Sequence, residues 1–144
     1  MPLRYVIDKE RRLVISTARD RVTFAEIKAH QDELLQDSEF DPEFNQLIDT
    51  TAVTVLDVSV EEAKTVARRK MFSRTSRRAF LAVSPAVFGM GRLMEVYHHQ
   101  QAQIYVFYDL PSALKWLGLE GPPDPIGRKE AKTPEISEKK KKRA

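Results

Sequence analysis

Three histidines, His30, His98 and His99, are the side chains in this sequence whose type suits metal binding or proton transfer. His98 and His99 are adjacent, and neighbouring residues of a helix point about 100° apart, so the two rings are poorly placed to share a metal ion. Neither His-x-x-x-His nor His-Glu-x-x-His occurs. The sequence has no cysteine, which excludes disulfides, thiolate zinc sites, iron–sulfur clusters and a cysteine nucleophile. We therefore predict no metal site and no cofactor.

Motifs of nucleophilic catalysis and of phosphate binding are also missing. No Gly-x-Ser-x-Gly nucleophile elbow occurs, although a Ser-His-Asp triad stays open because its members can be far apart in sequence. The segment Gly89-Met90-Gly91-Arg92 lacks the third glycine of a dinucleotide fingerprint and the Gly-Lys-Ser/Thr of a P-loop. Its glycines lie within a predicted helix, where they favour close packing of the helix on a sheet. We predict that the protein is not an enzyme.

The formal charge of +3 and the pI of about 9.2 suggest an anionic partner, but the charge is unevenly placed along the 144 residues. Residues 121–144 carry eight Lys/Arg against four Asp/Glu, together with four prolines and almost no large apolar side chains. Such a segment cannot offset the entropy of ordering its own chain. We predict a folded domain over residues 1–120, with 16 basic and 17 acidic residues, and a disordered basic Pro/Lys-rich tail over 121–144.

Within the predicted domain, the charges separate into two segments. Residues 8–62 hold 14 acidic and six basic residues, and residues 63–94 hold eight basic residues and no acidic one. Three interpretations of the basic segment stay open: contact with an anion or a partner, internal pairing with the acidic segment, and self-association. The candidate contacts are Arg68, Arg69, Arg77, Arg78 and Arg92. Nucleic-acid binding is not expected, because no helix-turn-helix, zinc-finger or RNA-binding signature accompanies them.

Targeting signals are not evident in the sequence. No apolar run reaches the ~18 residues of a membrane-spanning helix, and no apolar signal stretch follows Met1-Pro2-Leu3-Arg4. Together with the absence of cysteine, this predicts a cytoplasmic protein. The four lysines Lys139 to Lys142 lack an apolar anchor, so we expect the tail to attract a membrane surface only weakly.

The elements that must position these residues begin with two β-branched runs, Leu3 to Asp8 and Arg12 to Thr17, which are spaced for a hairpin. Thr23 and Glu26 form a capping box, in which each side chain satisfies a free N–H group at the start of a helix. The apolar periodicity that follows predicts a helix that ends before Pro42.

The middle of the chain predicts a strand and a second helix. Phe44 to Ile48 is a short apolar run ending in Asp49-Thr50-Thr51, which indicates a buried strand, and residues 52–58 are predicted to be a linking stretch. Ser59 and Glu62 form a second capping box.

The last third of the chain repeats the alternation of strand and helix. Ala79 to Val83 is a continuous apolar run, typical of a central parallel strand. Ser84-Pro85 combines an N-cap residue with proline at the first helical position. Ile104 to Phe107 predicts the last strand, and Asp109 is expected to cap a short helix over Pro111 to Leu117. The order β-β-α-β-α-β-α-β-α predicts one small α/β domain with a mixed, mostly parallel sheet and helices packed on it.

This topology also predicts where a site would lie, since ligands of open parallel sheets bind outside the carboxyl ends of the strands. The segments expected at that edge are Asp49-Thr50-Thr51, Ser84-Pro85-Ala86 and Tyr108-Asp109. The helix that starts at Ser84 offers free N–H groups to a small anion or to the carboxylate of a partner.

A family resemblance adds to this interpretation. The element order, the Asp-Thr-Thr after the third strand, and the motifs Arg77-Arg78-Ala79, Gly89 to Arg92 and Ala113 to Leu117 resemble the bacterial STAS-like proteins, relatives of the anti-sigma-factor antagonists. The resemblance implies a regulatory domain that binds a protein partner and performs no chemistry of its own. It also implies Thr50 or Thr51 as a phosphoacceptor, whereas from the residues alone both threonines are equally ordinary β-favouring residues at a strand end.

A second function stays open, because STAS-type folds resemble the lipid-binding CRAL-TRIO domains in chain path. The alternative is a domain that binds a small hydrophobic ligand or lipid beneath the third helix, lined by Val87, Phe88, Met90 and Met94. That helix is apolar on more than one side, which also suits a homodimer. A ligand carrier should contain an enclosed apolar cavity, whereas a partner-binding domain should expose an apolar or charged patch near Thr50.

Overall fold

The computed structural model describes residues 2–97 and 103–119, and these residues contain the predicted order of strands and helices. The predicted tail, residues 121–144, lies outside the described residues. The elements are β1 (Leu3–Asp8), β2 (Leu13–Thr23), α1 (Phe24–Gln36), β3 (Asn45–Asp57), α2 (Val60–Arg68), β4 (Arg77–Leu81), α3 (Pro85–Tyr97), β5 (Gln103–Phe107) and α4 (Leu110–Trp116).

The strands form one sheet in the order β1-β2-β3-β4-β5. β1 and β2 are antiparallel, as expected of a hairpin, and every later pair is parallel. The prediction of a mixed, mostly parallel sheet in one small α/β domain is confirmed. Alternation along the strands separates two faces. Leu47 and Ala79 pack towards Ala113 of α4, whereas Phe80 packs towards Val87 of α3 on the opposite face.

The long central strands differ from the prediction. Residues 52–58, predicted to be a linking stretch, belong to β3 as far as Asp57, and β2 extends to Thr23 rather than Thr17. Pairing of β3 with β4 ends at Asp49 and Leu81, while pairing with β2 continues to Thr23 and Asp57. The physical reason is that β3 keeps β-branched residues at alternate positions beyond the buried run, and β2 supplies a partner for them.

Capping boxes define the first two helices as predicted. Thr23 Oγ1 accepts a hydrogen bond of 3.3 Å from the backbone N–H of Glu26, and Ser59 Oγ accepts one of 3.1 Å from Glu62. Ser84 Oγ accepts from the backbone N–H of Val87 at 3.3 Å, at the start of α3. These ends fix where the three helices begin above the sheet.

Gly91 brings α3 close to the sheet. A Cβ atom at this position would lie 2.7 Å from Val106 Cγ2 and 2.8 Å from Phe80 Cδ1, so only glycine fits without displacement. At Gly89 the same test meets nothing within 4 Å. The interpretation of the glycine motif as a packing feature is therefore confirmed at Gly91, and Gly89 has no comparable contact.

Candidate functional site

A cavity of about 80 Å³ lies between the sheet and helices α1, α2 and α3. Its lining is mostly apolar and includes side chains from each of the three helices and from strands β2, β3 and β4. The apolar helix residues that line it are Ile27, Leu34, Val66, Val87, Met90 and Met94. The cavity is thus a gap inside the packed core beneath the third helix.

Three of the four residues predicted to line a pocket lie against this cavity: Val87, Met90 and Met94. Phe88 does not line it. Its ring stacks on Tyr108, with ring centroids 3.9 Å apart and planes 8° from parallel. The reason is helical geometry, because Phe88 points about 100° away from Val87 and so turns off the cavity face.

A chain of buried polar side chains crosses the cavity lining. Arg78 Nε donates a hydrogen bond of 2.8 Å to Gln46 Oε1, and Gln46 Nε2 donates one of 2.9 Å to Ser16 Oγ. Ser16 Oγ lies 3.1 Å from His30 Nε2. The four residues belong to β4, β3, β2 and α1, and all of them are buried and line the cavity.

This chain of four was not found from the sequence. Arg78 was predicted as one of several contacts on a basic binding face, but it is 6% exposed and lies in the core. The available signal was a polar residue at an inward position of each strand, Ser16, Gln46 and Arg78. That signal becomes visible only when the register aligns the strands, for Gln46 pairs directly with Arg78 across β3 and β4.

Burial dominates the electrostatics of this group. Desolvation lowers the pKa of Arg78 to about 10, which leaves the guanidinium charged at neutral pH. Among the described residues, no carboxylate lies within salt-bridge distance of Arg78, and its ring contact is with Phe72, 4.7 Å from the guanidinium carbon. Desolvation first, and the nearby charge of Arg78 second, lower the pKa of His30 to about 4, so His30 is neutral.

His30 has one open position. Its Nδ1 atom is buried and has no hydrogen-bond partner among the residues that the structure describes. In the hydrogen-bond chain, Ser16 Oγ accepts from Gln46 and has its own hydrogen left to donate to Nε2. A neutral ring that accepts at Nε2 carries its proton at Nδ1. The cavity lining therefore contains an unpartnered ring nitrogen at His30 and a cation at Arg78.

The predicted sheet edge divides into buried and exposed groups. Thr50 is buried, lines the cavity, and donates its hydroxyl to the carbonyl of Leu81 at 2.7 Å. Asp49 is also buried, and burial raises its pKa although the Thr51 hydroxyl and N–H, at 2.7 and 2.9 Å, oppose that shift. Thr51 is exposed and Ser84 is half-buried. Both threonines lie within β3 rather than at its end, because the strand continues to Asp57.

The other predicted arginines do not share one surface with Arg78. Arg77 lies on the opposite side of β4, where it donates to the carbonyl of Trp116 at 2.7 Å. Arg69 pairs with Asp32, which joins the basic segment to the acidic one. Arg68 lies against the ring of Tyr97 at 5.4 Å. Arg92 pairs with Glu95 at 3.6 Å.

The structure bears on two further expectations, one about metal binding and one about membrane-spanning helices. Among residues 2–97 and 103–119, no group of three or more His, Cys, Asp or Glu side chains is positioned to hold a metal ion. His98 and His99 lie outside these ranges. No helix in the described part of the chain is long and apolar enough to cross a membrane.

Comparison with known proteins identifies the fold. No family model and no curated protein matches the chain. Among solved structures, the chain is similar to an uncharacterized protein of the DUF3478 family with a SpoIIAA-like fold from Shewanella loihica PV-4. The identity is 19%, the match covers 80% of this chain and 91% of that chain, and the TM-score is 0.52. The chain thus has a SpoIIAA-like α/β fold, which is the STAS-like fold that its sequence resemblance implied.

Proposed function

We propose that this chain is a non-enzymatic, cytoplasmic STAS-like domain that binds a small, mainly apolar ligand in its core cavity. The observation that carries the proposal is the cavity of about 80 Å³ between the sheet and the three helices. Protein interiors are packed so densely that they hold few voids larger than a water molecule. Of the two functions that the sequence left open, an apolar cavity beneath the third helix supports ligand binding.

The energetics of the cavity support an occupant. A core cavity lowers the free energy of unfolding by roughly 24 cal/mol for each Å³. The 80 Å³ here therefore correspond to about 2 kcal/mol. A ligand that fills the space regains those lost contacts. Because the volume is below the ~150 Å³ of a cavity that binds benzene, the ligand has only a few carbon atoms.

The Ser16–His30 contact supports binding rather than catalysis. Ser16 Oγ and His30 Nε2 are 3.1 Å apart, the arrangement of a nucleophile and its base. However, no carboxylate in the described residues orients the ring at Nδ1, and a pKa of about 4 makes His30 a weak base. These two features favour a role for His30 in shaping the cavity.

The test is to fill the cavity and measure ligand binding. Ala18 lines the cavity, so Ala18→Leu adds three carbons into it, and Ala18→Val adds two in case leucine overpacks the core. We expect both variants to lose binding of small apolar probes such as cyclopentane and 1-butanol, monitored by NMR chemical-shift changes. Ala52→Leu on the exposed side of β3 is the control and should bind like the wild type. Unchanged binding by folded Ala18 variants contradicts the proposal.

A second candidate function, regulation through a protein partner or a second copy of the chain, is favoured by a different observation. Val83 and Tyr108 are 54% and 59% exposed, and they follow the carboxyl ends of β4 and β5. Exposed apolar side chains grouped at one edge suit a docking surface. Thr51 is exposed at the same edge, so its phosphorylation would add about −1.5 to −2 charges beside that surface.

The regulatory proposal is tested by phosphorylation with switch-type protein kinases and intact-mass measurement. We expect one phosphate per chain on the wild type, the same on Thr50→Val, and none on Thr51→Ala. Thr50 is the less accessible acceptor, because its hydroxyl is buried against the carbonyl of Leu81. A phosphate that persists in Thr51→Ala, or an unmodified wild-type chain with every kinase, contradicts the assignment.

A further inference from the structure

We infer that the ligand of the core cavity is a short-chain carboxylate whose anionic group pairs with the Arg78 guanidinium. This inference rests on the proposed function, since it names the chemical class of the molecule that the same cavity takes. Three observations support it. The cavity contains a buried cation without a counter-ion and a buried ring nitrogen without a partner, and the rest of its lining is mainly apolar.

Arg78 is the first of these observations. Its side chain is buried, Nε is used by Gln46, and one face of the guanidinium is covered by Phe72. No other hydrogen bond joins the guanidinium to the residues that the structure describes, and none of their carboxylates is within 4.0 Å. An isolated charge is strongly disfavoured in a protein core, where charges occur paired. A carboxylate matches the guanidinium because its two oxygens accept two parallel N–H bonds.

His30 supplies an independent observation. Its side chain is 8% exposed, its ring packs edge-on against Tyr5 at 5.5 Å, and Nε2 faces Ser16. The Nδ1 atom of His30 has no partner among the described residues, and it carries the ring proton in the tautomer whose Nε2 accepts from the Ser16 hydroxyl. In that tautomer, the unpaired Nδ1 of His30 is a donor, as the guanidinium of Arg78 is. An acceptor-only group, such as a carboxylate, satisfies donors without leaving a hydrogen of its own unpaired.

The apolar lining determines the chemistry of the ligand beyond its carboxylate. Ile48, Phe80 and Met94 line the cavity together with Val66, so the part of the ligand beyond its carboxylate contacts hydrocarbon and a thioether. The volume of about 80 Å³ admits a chain of a few carbons. Butyrate has the right charge, acceptor set and length to serve as the probe.

The experiment compares molecules of one shape and different charge. Isothermal titration calorimetry of the full chain at neutral pH is carried out with butyrate, butyramide and 1-butanol. We expect the affinity for butyrate to exceed that for butyramide by about tenfold or more. Butyramide lacks the negative charge, and its NH2 group would place a hydrogen-bond donor next to the donors of the cavity. Arg78→Met should weaken butyrate binding by a similar factor and abolish the preference for butyrate over butyramide.

Two further variants keep the test decisive. Arg78→Lys retains a cation in the core but loses the planar guanidinium that can donate two parallel hydrogen bonds, so it should bind butyrate with intermediate affinity. This variant provides the test if Arg78→Met does not fold. Arg77→Met removes the neighbouring arginine on the other face of β4 and should bind butyrate as the wild type does. Butyrate and butyramide affinities that are equal, or an Arg78→Met variant with wild-type affinity for butyrate, overturn this inference.

The outcomes also separate the inference from the proposed function. Binding of 1-butanol or butyramide without preference for butyrate leaves the proposed function standing and overturns the carboxylate assignment. Absence of binding by all three probes overturns both.

Discussion

The Nε atom of Arg78 donates a hydrogen bond of 2.8 Å to Oε1 of Gln46, and the two residues are direct partners across the parallel strands β3 and β4. Through its amide nitrogen, Gln46 also donates to Ser16 on β2, so one side chain connects three strands. Gln46 thereby holds the only cation in the described cavity lining at a defined position.

Replacement of Gln46 by leucine should lower the free energy of unfolding by about 2–4 kcal/mol, because it removes the only hydrogen-bond acceptor that the described residues offer to the buried Arg78 cation and also the amide donor to Ser16. The measurement is urea unfolding followed by circular dichroism. Gln36→Leu, at the exposed end of α1, is the matched control and should change stability by less than about 0.5 kcal/mol. Equal effects of the two substitutions would show that the buried chain contributes nothing.

Acid should destabilise the protein through His30. The pKa of His30 is about 4 in the folded protein and 6.5 when unperturbed, so the unfolded chain binds the proton first as the pH falls. The free energy of unfolding then decreases between pH 6.5 and about 4, by up to about 3 kcal/mol from this group. Asp49, whose pKa is raised by burial, acts in the opposite direction.

The contribution of His30 is isolated by comparison with His30→Gln, which cannot titrate. We expect the difference in the free energy of unfolding between the two proteins to change between pH 6.5 and about 4. An NMR titration of the wild type should give a His30 pKa of about 4. Parallel pH profiles of the two proteins, or a His30 pKa near 6.5, would refute the prediction.

Alanine substitutions at the two glycines of α3 should change the stability of the protein in opposite directions. Gly91→Ala places a methyl group 2.7 Å from Val106 Cγ2 and should destabilise the protein by about 1–3 kcal/mol. Gly89→Ala meets nothing within 4 Å and should stabilise it by about 0.5–1 kcal/mol, since alanine is the better helix former. Thermal unfolding of both variants checks the pair, and a shift of the same sign in both would contradict the packing.

The neighbouring threonines should differ in their tolerance of a negative charge. Thr50→Glu buries a carboxylate in the core and should destabilise the fold by about 3 kcal/mol or more. Thr51→Glu places the charge in solvent and should change stability by less than about 1 kcal/mol. Urea unfolding is the measurement, and a Thr50→Glu variant as stable as Thr51→Glu would mean that Thr50 is accessible in solution.

Much of the fold was predictable because its signals are local. The capping boxes at Thr23 and Ser59 depend on residues three positions apart, and the strand runs depend on alternation within a few residues. The linking stretch assigned to residues 52–58 was wrong because strand formation there depends on a partner, the extended β2, whose residues Arg19 to Arg21 are too polar to indicate a strand.

The candidate site was predictable only in its apolar part. Val87, Met90 and Met94 share a helix face that the sequence already displays, so they could be assigned to one side of α3. Arg78 could not be assigned to the cavity, because the sequence places it next to Arg77 and does not indicate which of the two arginines is exposed. Strand alternation sends Arg77 and Arg78 to opposite faces, but only the assembled sheet shows which face is the core.

The sequence by itself therefore determined the order of strands and helices, the helix starts and the STAS-like fold. The tertiary structure alone decided that Arg78 and His30 meet in one cavity, although 48 positions separate them in the chain. The physical reason is the range of the interactions. Caps and periodicity act between near neighbours, whereas a buried hydrogen-bond chain requires the register of β2, β3 and β4 and the seating of α1 above them.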